Sequence, residues 1–129
     1  MSLARPDQGL SRFQRLTRPA QFRVVYDRGR KVVGRGLILW ALPVETLGIR
    51  LGVVASRRVG GAVQRNRARR LLREAFRIHR SEMQWSADVV IVARRSLLEA
   101  AKGEVEADLL NAIQKAGLFE AKPGHGTES

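Results

Sequence analysis

Two groups of side chains in this 129-residue chain have the types and spacing to do chemistry. The first is the run "GGAVQRNRARRLLREAFRIHR", residues 60–80, where seven arginines from Arg65 to Arg80 meet a single acid, Glu74. The second is the acidic series Glu104, Glu106 and Asp108, with two histidines elsewhere, His79 and His125. Guanidinium groups suit phosphates, because their planar fork matches two oxygens at once. Carboxylates and histidines could hold a metal or move protons. At i, i+2, i+4 only Glu104 and Asp108 face together, so the acidic series reads as a solvated helix face. Neither histidine has a sequence-level partner suited to acid–base work. Gly60-Gly61 before a helix could cradle phosphate, yet no Walker or dinucleotide fingerprint surrounds it. No catalytic residue and no metal ligand are assigned.

Charge supports the phosphate reading. Lys and Arg number 24 against 12 Asp and Glu, a net +12, and only four of the basic residues are lysine. Such a balance argues for a polyanionic partner, and the arginine bias favours nucleic acid over an anionic membrane surface. Residues 1–80 hold 19 basic and 4 acidic side chains (+15), while 81–129 hold 5 and 8 (−3), so the basic surface belongs to the first two-thirds. The absence of cysteine excludes disulfides, thiol catalysis and Cys-ligated zinc, and fits a reducing cytoplasm. No apolar run approaches a membrane span, and the N-terminus lacks the apolar core of a secretory signal.

The elements that must carry these residues follow from periodicity. Residues 1–12 read as a flexible arm, 13–117 as one domain and 118–129 as a disordered tail. A short helix is expected over 18–29, with Phe22, Val25 and Tyr26 on one face and Gly29 as its stop. Strands are expected over 31–43 and 49–59, with Gly34 and Gly36 bending the first. "ADVVIVAR" (87–94) has the continuous apolar run of a strand buried on both faces. "LLEAAKGEVEADLLNAIQKAG" (97–117) is expected to give one or two helical segments, with Leu109, Ala112, Ile113 and Ala116 as the apolar stripe and Gly117 as the close.

On a wheel of about 100° per residue, Ala68, Leu71, Leu72, Ala75, Phe76, Ile78 and His79 share one arc, the face expected to be buried. Asn66, Arg69, Arg70, Arg73, Arg77 and Arg80 share the other, with Arg67 at its edge and Arg65 near the helix start. Like charges at i, i+3 and i, i+4 destabilise by roughly 0.2–0.5 kcal/mol per pair, and Arg65, Arg67 and Arg69 crowd the positive end of the helix dipole. A ribbon this costly and this one-sided is built for phosphates.

"RNRARRLLREAFR" (65–77) resembles the Arg-Asn-Arg signature of the bacterial ribonuclease P protein subunit. Three more stretches support the likeness: the strand and basic pair in "VVASRRVGGAVQRNR", the segment "RLTRPAQFRVVYDRGRKVVGRGLILWAL" (15–42), and "ADVVIVARR". It covers roughly residues 13–117. The resemblance implies an α+β fold, a compact α/β sandwich shared with a domain of a small-subunit ribosomal protein. Its sheet is mainly antiparallel, with one left-handed strand–helix–strand crossover. It implies a subunit of an endoribonuclease whose catalytic RNA, with magnesium held mainly by RNA and none held tightly by the protein alone, removes the 5′ leader of precursor tRNA. The partners would be that RNA and precursor tRNA, with no membrane and no small-molecule substrate, and the isolated protein would be a cytoplasmic monomer.

Carried over by position, Arg65, Asn66, Arg67, Arg70 and Arg73 match the signature and are expected on the catalytic RNA. Arg69, where lysine is common, and Arg77 extend the same ribbon. Phe22, Tyr26 and Trp40 fall where the family lines a leader-binding cleft with aromatics, although Tyr26 and Trp40 depart in kind. Arg57 and Arg58 match the basic pair beside it. By residue type alone the three aromatics read as ordinary core. The resemblance moves Tyr26 and Trp40 to the RNA-binding surface and leaves Phe22 open between the two. A ribosomal protein or general RNA chaperone shares the composition and is the alternative. A DNA-binding regulator would need a helix and tight turn before residue 62, where a strand is expected.

Overall fold

Leu37, Leu39 and Ala41 are buried while Ile38, Trp40 and Leu42 are half-buried, the period-two pattern of a strand between two layers. The strand belongs to a computed structural model that describes residues 14–45, 48–83 and 86–119. Along the chain run β1 (Gln14–Arg15), α1 (Pro19–Arg28), β2 (Arg30–Val33), β3 (Leu37–Pro43), β4 (Ile49–Val54), α2 (Ala62–Ile78), β5 (Ala87–Ala93) and α3 (Lys102–Ala116). Short 3-10 turns at Arg80–Glu82 and Arg95–Glu99 follow α2 and β5. The strands form one mixed sheet in the order β1-β4-β5-β3-β2. β3 is antiparallel to both β2 and β5, while β4 is parallel to β5 and to the two-residue edge strand β1. This is the expected α+β fold, with α2 in the crossover between the neighbouring strands β4 and β5.

The two faces of the sheet carry two cores. On one, Ala68, Leu72, Ala75 and Phe76 of α2 and Leu109, Ala112, Ile113 and Ala116 of α3 pack onto Leu39, Leu51, Val89 and Ile91. Phe76 is fully buried, and a side chain of that kind contributes about 1.5–3 kcal/mol. On the other face a smaller cluster of Leu16, Val25 and Val90 gathers Phe22, Trp40, Leu42, Val54 and Val92 beneath α1. Gln21 Oε1 accepts the amide N–H groups of Thr17 and Arg18 at 2.9 and 3.0 Å, closing the entry to α1. A Cβ at Gly52 would stand 2.5 Å from the Phe22 ring, so glycine there lets α1 approach β4.

Four sequence expectations shift. The expected strand over 31–43 is two strands, because Gly34, Arg35 and Gly36 form a hairpin turn instead of a bend. Asp108 accepts the Arg35 and Gly36 amides at 3.1 and 2.7 Å, and a Cβ at Gly34 would sit 2.6 Å from the same carboxylate. The expected strand over 49–59 stops at Val54, since Ser56–Gly60 closes turns through Val59 N–H to Ser56 O and Gly60 N–H to Arg57 O. Ile78 is 46% exposed and so leaves the buried arc of α2. Leu118, placed in the tail by sequence, is fully buried and Phe119 packs beside it, so the packed chain runs past Gly117. The arm over 1–12, residues 120–129 and His125 lie outside the described residues.

Candidate nucleic-acid interface

The arginine helix begins without help. Its N-cap is Gly61, no side chain caps it, and its first turn has no acid. Arg65 folds back to donate Nη1–H to the Gly60 carbonyl at 3.1 Å, a bond that serves the carbonyl and not the free amides of the first turn. Arg67 is exposed at the flank. Beyond this first turn, Asn66, Arg69, Arg70, Arg73 and Arg77 line a depression of about 560 Å³, together with Arg15 and Glu74. Arg69 donates to Asn66 Oδ1, and Arg77 is held by Glu74 in an i, i+3 ion pair. Burial first, then the charges of Arg15 and Arg69, lower the Arg73 pKa. Arg80 leaves the outer ribbon: its Nε is buried with no hydrogen-bond partner among the described residues, and burial lowers its pKa.

A second surface lies on the opposite face of the sheet. Tyr26 of α1 meets Trp40 of β3 edge to face, with centroids 4.8 Å apart. Lys31 Nζ stands 5.6 Å from the centroid of the same indole, within reach of a cation–π contact. Tyr26 is 38% exposed, while Phe22 and Trp40 are half-buried. Phe22 therefore packs largely as core against Gly52, Tyr26 offers an open ring, and Trp40 supports it. Towards the C-terminal end of β5 this face opens into a groove of about 820 Å³, lined by Ile38, Val92, Ser56, Arg58, Arg94 and Arg95. Arg57 sits in the adjoining turn and is exposed, but it does not line the groove.

Sequence reasoning passed over Arg15, Arg94 and Arg95. Arg95 is exposed, and Arg94 also donates Nη1–H to the Gly34 carbonyl at 2.9 Å. The signal for the latter pair was the "ARR" that ends the β5 segment. Arg15 had none. At the far end of the face the bidentate pair of Arg50 with Asp88, at 2.7 and 2.6 Å, neutralises the one charged residue that is buried among the described residues. Arg50 is held protonated more firmly by that hydrogen bond. This face of the sheet thus has a cationic end, at the groove, and a neutralised end at Arg50 and Asp88.

The acidic series is not simply solvated. Glu104 Oε1 accepts the Ala101 amide at the start of α3, Asp108 holds the β2–β3 turn, and Glu106 lies 3.2 Å from His79 Nε2. His79 Nδ1 lies 3.2 Å from Glu82, so this histidine does have acidic partners that the sequence hid. Among the described residues no three His, Asp or Glu side chains are placed to hold a metal ion. No helix among them is long and apolar enough to cross a membrane.

Comparison with known proteins points one way. A family model described as Ribonuclease P matches residues 10–117. The chain is 40% identical over 110 residues to the ribonuclease P protein component of Desulfovibrio desulfuricans, covering 82% of this chain and 85% of that one. It is 40% identical over 113 residues to the component from Chloroflexus aurantiacus, covering 87% and 84%. Among solved structures it is similar to the Staphylococcus aureus RNase P protein, with TM-score 0.75 and 27% identity over 82% of this chain and 97% of that one. The Thermotoga maritima RNase P protein gives TM-score 0.71 and 25% identity, over 84% and 98%.

Proposed function

This chain belongs to the bacterial ribonuclease P protein family, and from that premise we propose that its two basic surfaces bind two different RNAs. It is a subunit of a tRNA-processing endoribonuclease, and its partner is the ribonuclease P RNA. In this reading the ribbon on α2, with Arg65, Asn66, Arg67, Arg69, Arg70, Arg73 and Arg77, docks the catalytic RNA. The α1 face of the sheet takes the single-stranded 5′ leader of precursor tRNA. Tyr26 there supplies a stacking ring, with Trp40 and Phe22 behind it, and Arg57, Arg58, Arg94 and Arg95 supply cations. The setting is the cytoplasm, and the free protein is a monomer.

One observation carries the division: α2 and α1 pack on opposite faces of one sheet. Two polyanions can therefore be held at once without contesting the same side chains. A basic groove with aromatic faces is also the chemistry that binds single strands, each stacked base contributing about 1–3 kcal/mol.

The magnesium implied by the family is a poor match for these side chains. The carboxylates nearest a cluster are engaged by backbone amides, by His79 or by Arg50. In this reading metal is held by RNA phosphates and no protein side chain takes part in hydrolysis.

Binding of Tyr26→Ala and Arg70→Ala to precursor tRNA, mature tRNA and the catalytic RNA tests the division. Tyr26→Ala should narrow the preference for precursor over mature tRNA in the assembled enzyme while leaving assembly unchanged. Arg70→Ala should weaken assembly and keep that preference. Identical losses in both variants would defeat the two-surface reading.

A further inference from the structure

The register of β1 gives Arg15 a role. Arg15 pairs with Leu51, which is buried in the core beneath α2 and α3. Side chains alternate along a strand, so Leu16 turns to the opposite side and is buried under α1. Arg15 turns towards α2 and lines the same depression as Arg69 and Arg73. The Leu16 amide donates to the Leu51 carbonyl at 3.0 Å, which holds this end of the chain in place.

Among the described residues none of Arg15, Arg69 and Arg73 forms an ion pair with a carboxylate, and Glu74, which lines the same depression, is engaged by Arg77. Arg69 is oriented by Asn66, and Arg73 is half-buried and repelled by the other two. Three converging cations against one acid that Arg77 already engages raise the energy of the free protein and favour an anion between them.

We propose that Arg15, Arg69 and Arg73 form one site for a phosphodiester group of the catalytic RNA, the sheet edge contributing Arg15. The site rests on the reading of α2 as the RNA dock. It extends that dock off the helix and onto the strand that leads into α1.

The test is a double-mutant cycle in the full-length protein, titrated with the cognate catalytic RNA over a salt series. Arg15→Ala should weaken binding roughly tenfold and flatten the logarithmic salt slope by up to about 1. Combined with Arg73→Ala, the loss should be smaller than the product of the two single losses, because both act on one phosphate. Arg15→Lys should keep most of the slope. Wild-type affinity and slope in Arg15→Ala would overturn the site, whereas wild-type behaviour in Arg73→Ala would overturn the dock beneath it. Strictly multiplicative losses would mean separate phosphates and also overturn it. Should Arg15→Ala fold poorly, inorganic phosphate decides the matter. It should raise the unfolding midpoint of the wild type more than that of Arg15→Gln, and equal rises would reject the proposal.

Discussion

The ring of Tyr26 stands at 76° to that of Trp40 in a T-shaped contact. This fixes which aromatic can meet a ligand. Trp40 is flanked by Tyr26 and by Lys31, while Tyr26 keeps 38% of its surface open.

Tyr26 is the only tyrosine in the chain, so its ionisation can be read directly. Burial raises its pKa above the ordinary value of 10.0. Spectrophotometric titration of the folded protein should give a phenolate midpoint above that of the urea-unfolded protein. Because the folded state disfavours the phenolate, the associated stability is complete below pH 10 and is lost as pH rises through the higher folded value. A folded midpoint at or below the unfolded one would contradict the packing described.

Trp40 and Tyr26 should separate on substitution. Tyr26→Ala should weaken precursor tRNA binding by about 1–3 kcal/mol for each base that no longer stacks, with little change in unfolding. Trp40→Ala removes a platform from the α1 cluster and should lower the urea midpoint as well. If the two variants unfold alike and bind alike, Tyr26 is core and not surface.

The cationic groove should be visible in salt dependence. Arg58→Ala and Arg95→Ala should each flatten the logarithmic salt slope of precursor binding by about 0.7 for every single-strand phosphate the arginine neutralises. Binding of mature tRNA, which has no leader, is the control. Equal flattening for both tRNAs would assign these arginines to the tRNA body.

Asp108 is expected to matter for folding and not for metal. Asp108→Ala leaves the Arg35 and Gly36 amides without an acceptor and should cost about 1–3 kcal/mol. Urea unfolding and faster hydrogen exchange at those two amides would report it. The magnesium requirement of reconstituted leader cleavage should not move, and a shift at unchanged stability would point to a metal role.

The local signals and the long-range ones were not equally legible. The stripe Leu109, Ala112, Ile113, Ala116, the stop at Gly117 and the doubly buried β5 are written in spacing and were readable. So was the arginine ribbon, except for Arg80, whose Nε is buried. The hairpin at Gly34–Gly36 was not, because its acceptor, Asp108, is more than seventy residues away. Distance along the chain also hid the pairing of His79 with Glu106. Arg15 was illegible for another reason: a two-residue strand has no period, and only its pairing with Leu51 decides where it points.

The alternation at β1 has one more consequence. Arg15 and Leu16 are neighbours on the chain, yet one lines the α2 depression and the other lies under α1, three residues before that helix begins. If Arg15 holds the catalytic RNA and α1 the leader, as proposed, fixing Arg15 removes motional freedom from the segment that leads into α1. The two RNAs then become reciprocal effectors: whatever factor the catalytic RNA adds to precursor affinity, the precursor must return to the catalytic RNA. A strand of two residues would thereby make assembly and substrate recognition one cooperative event.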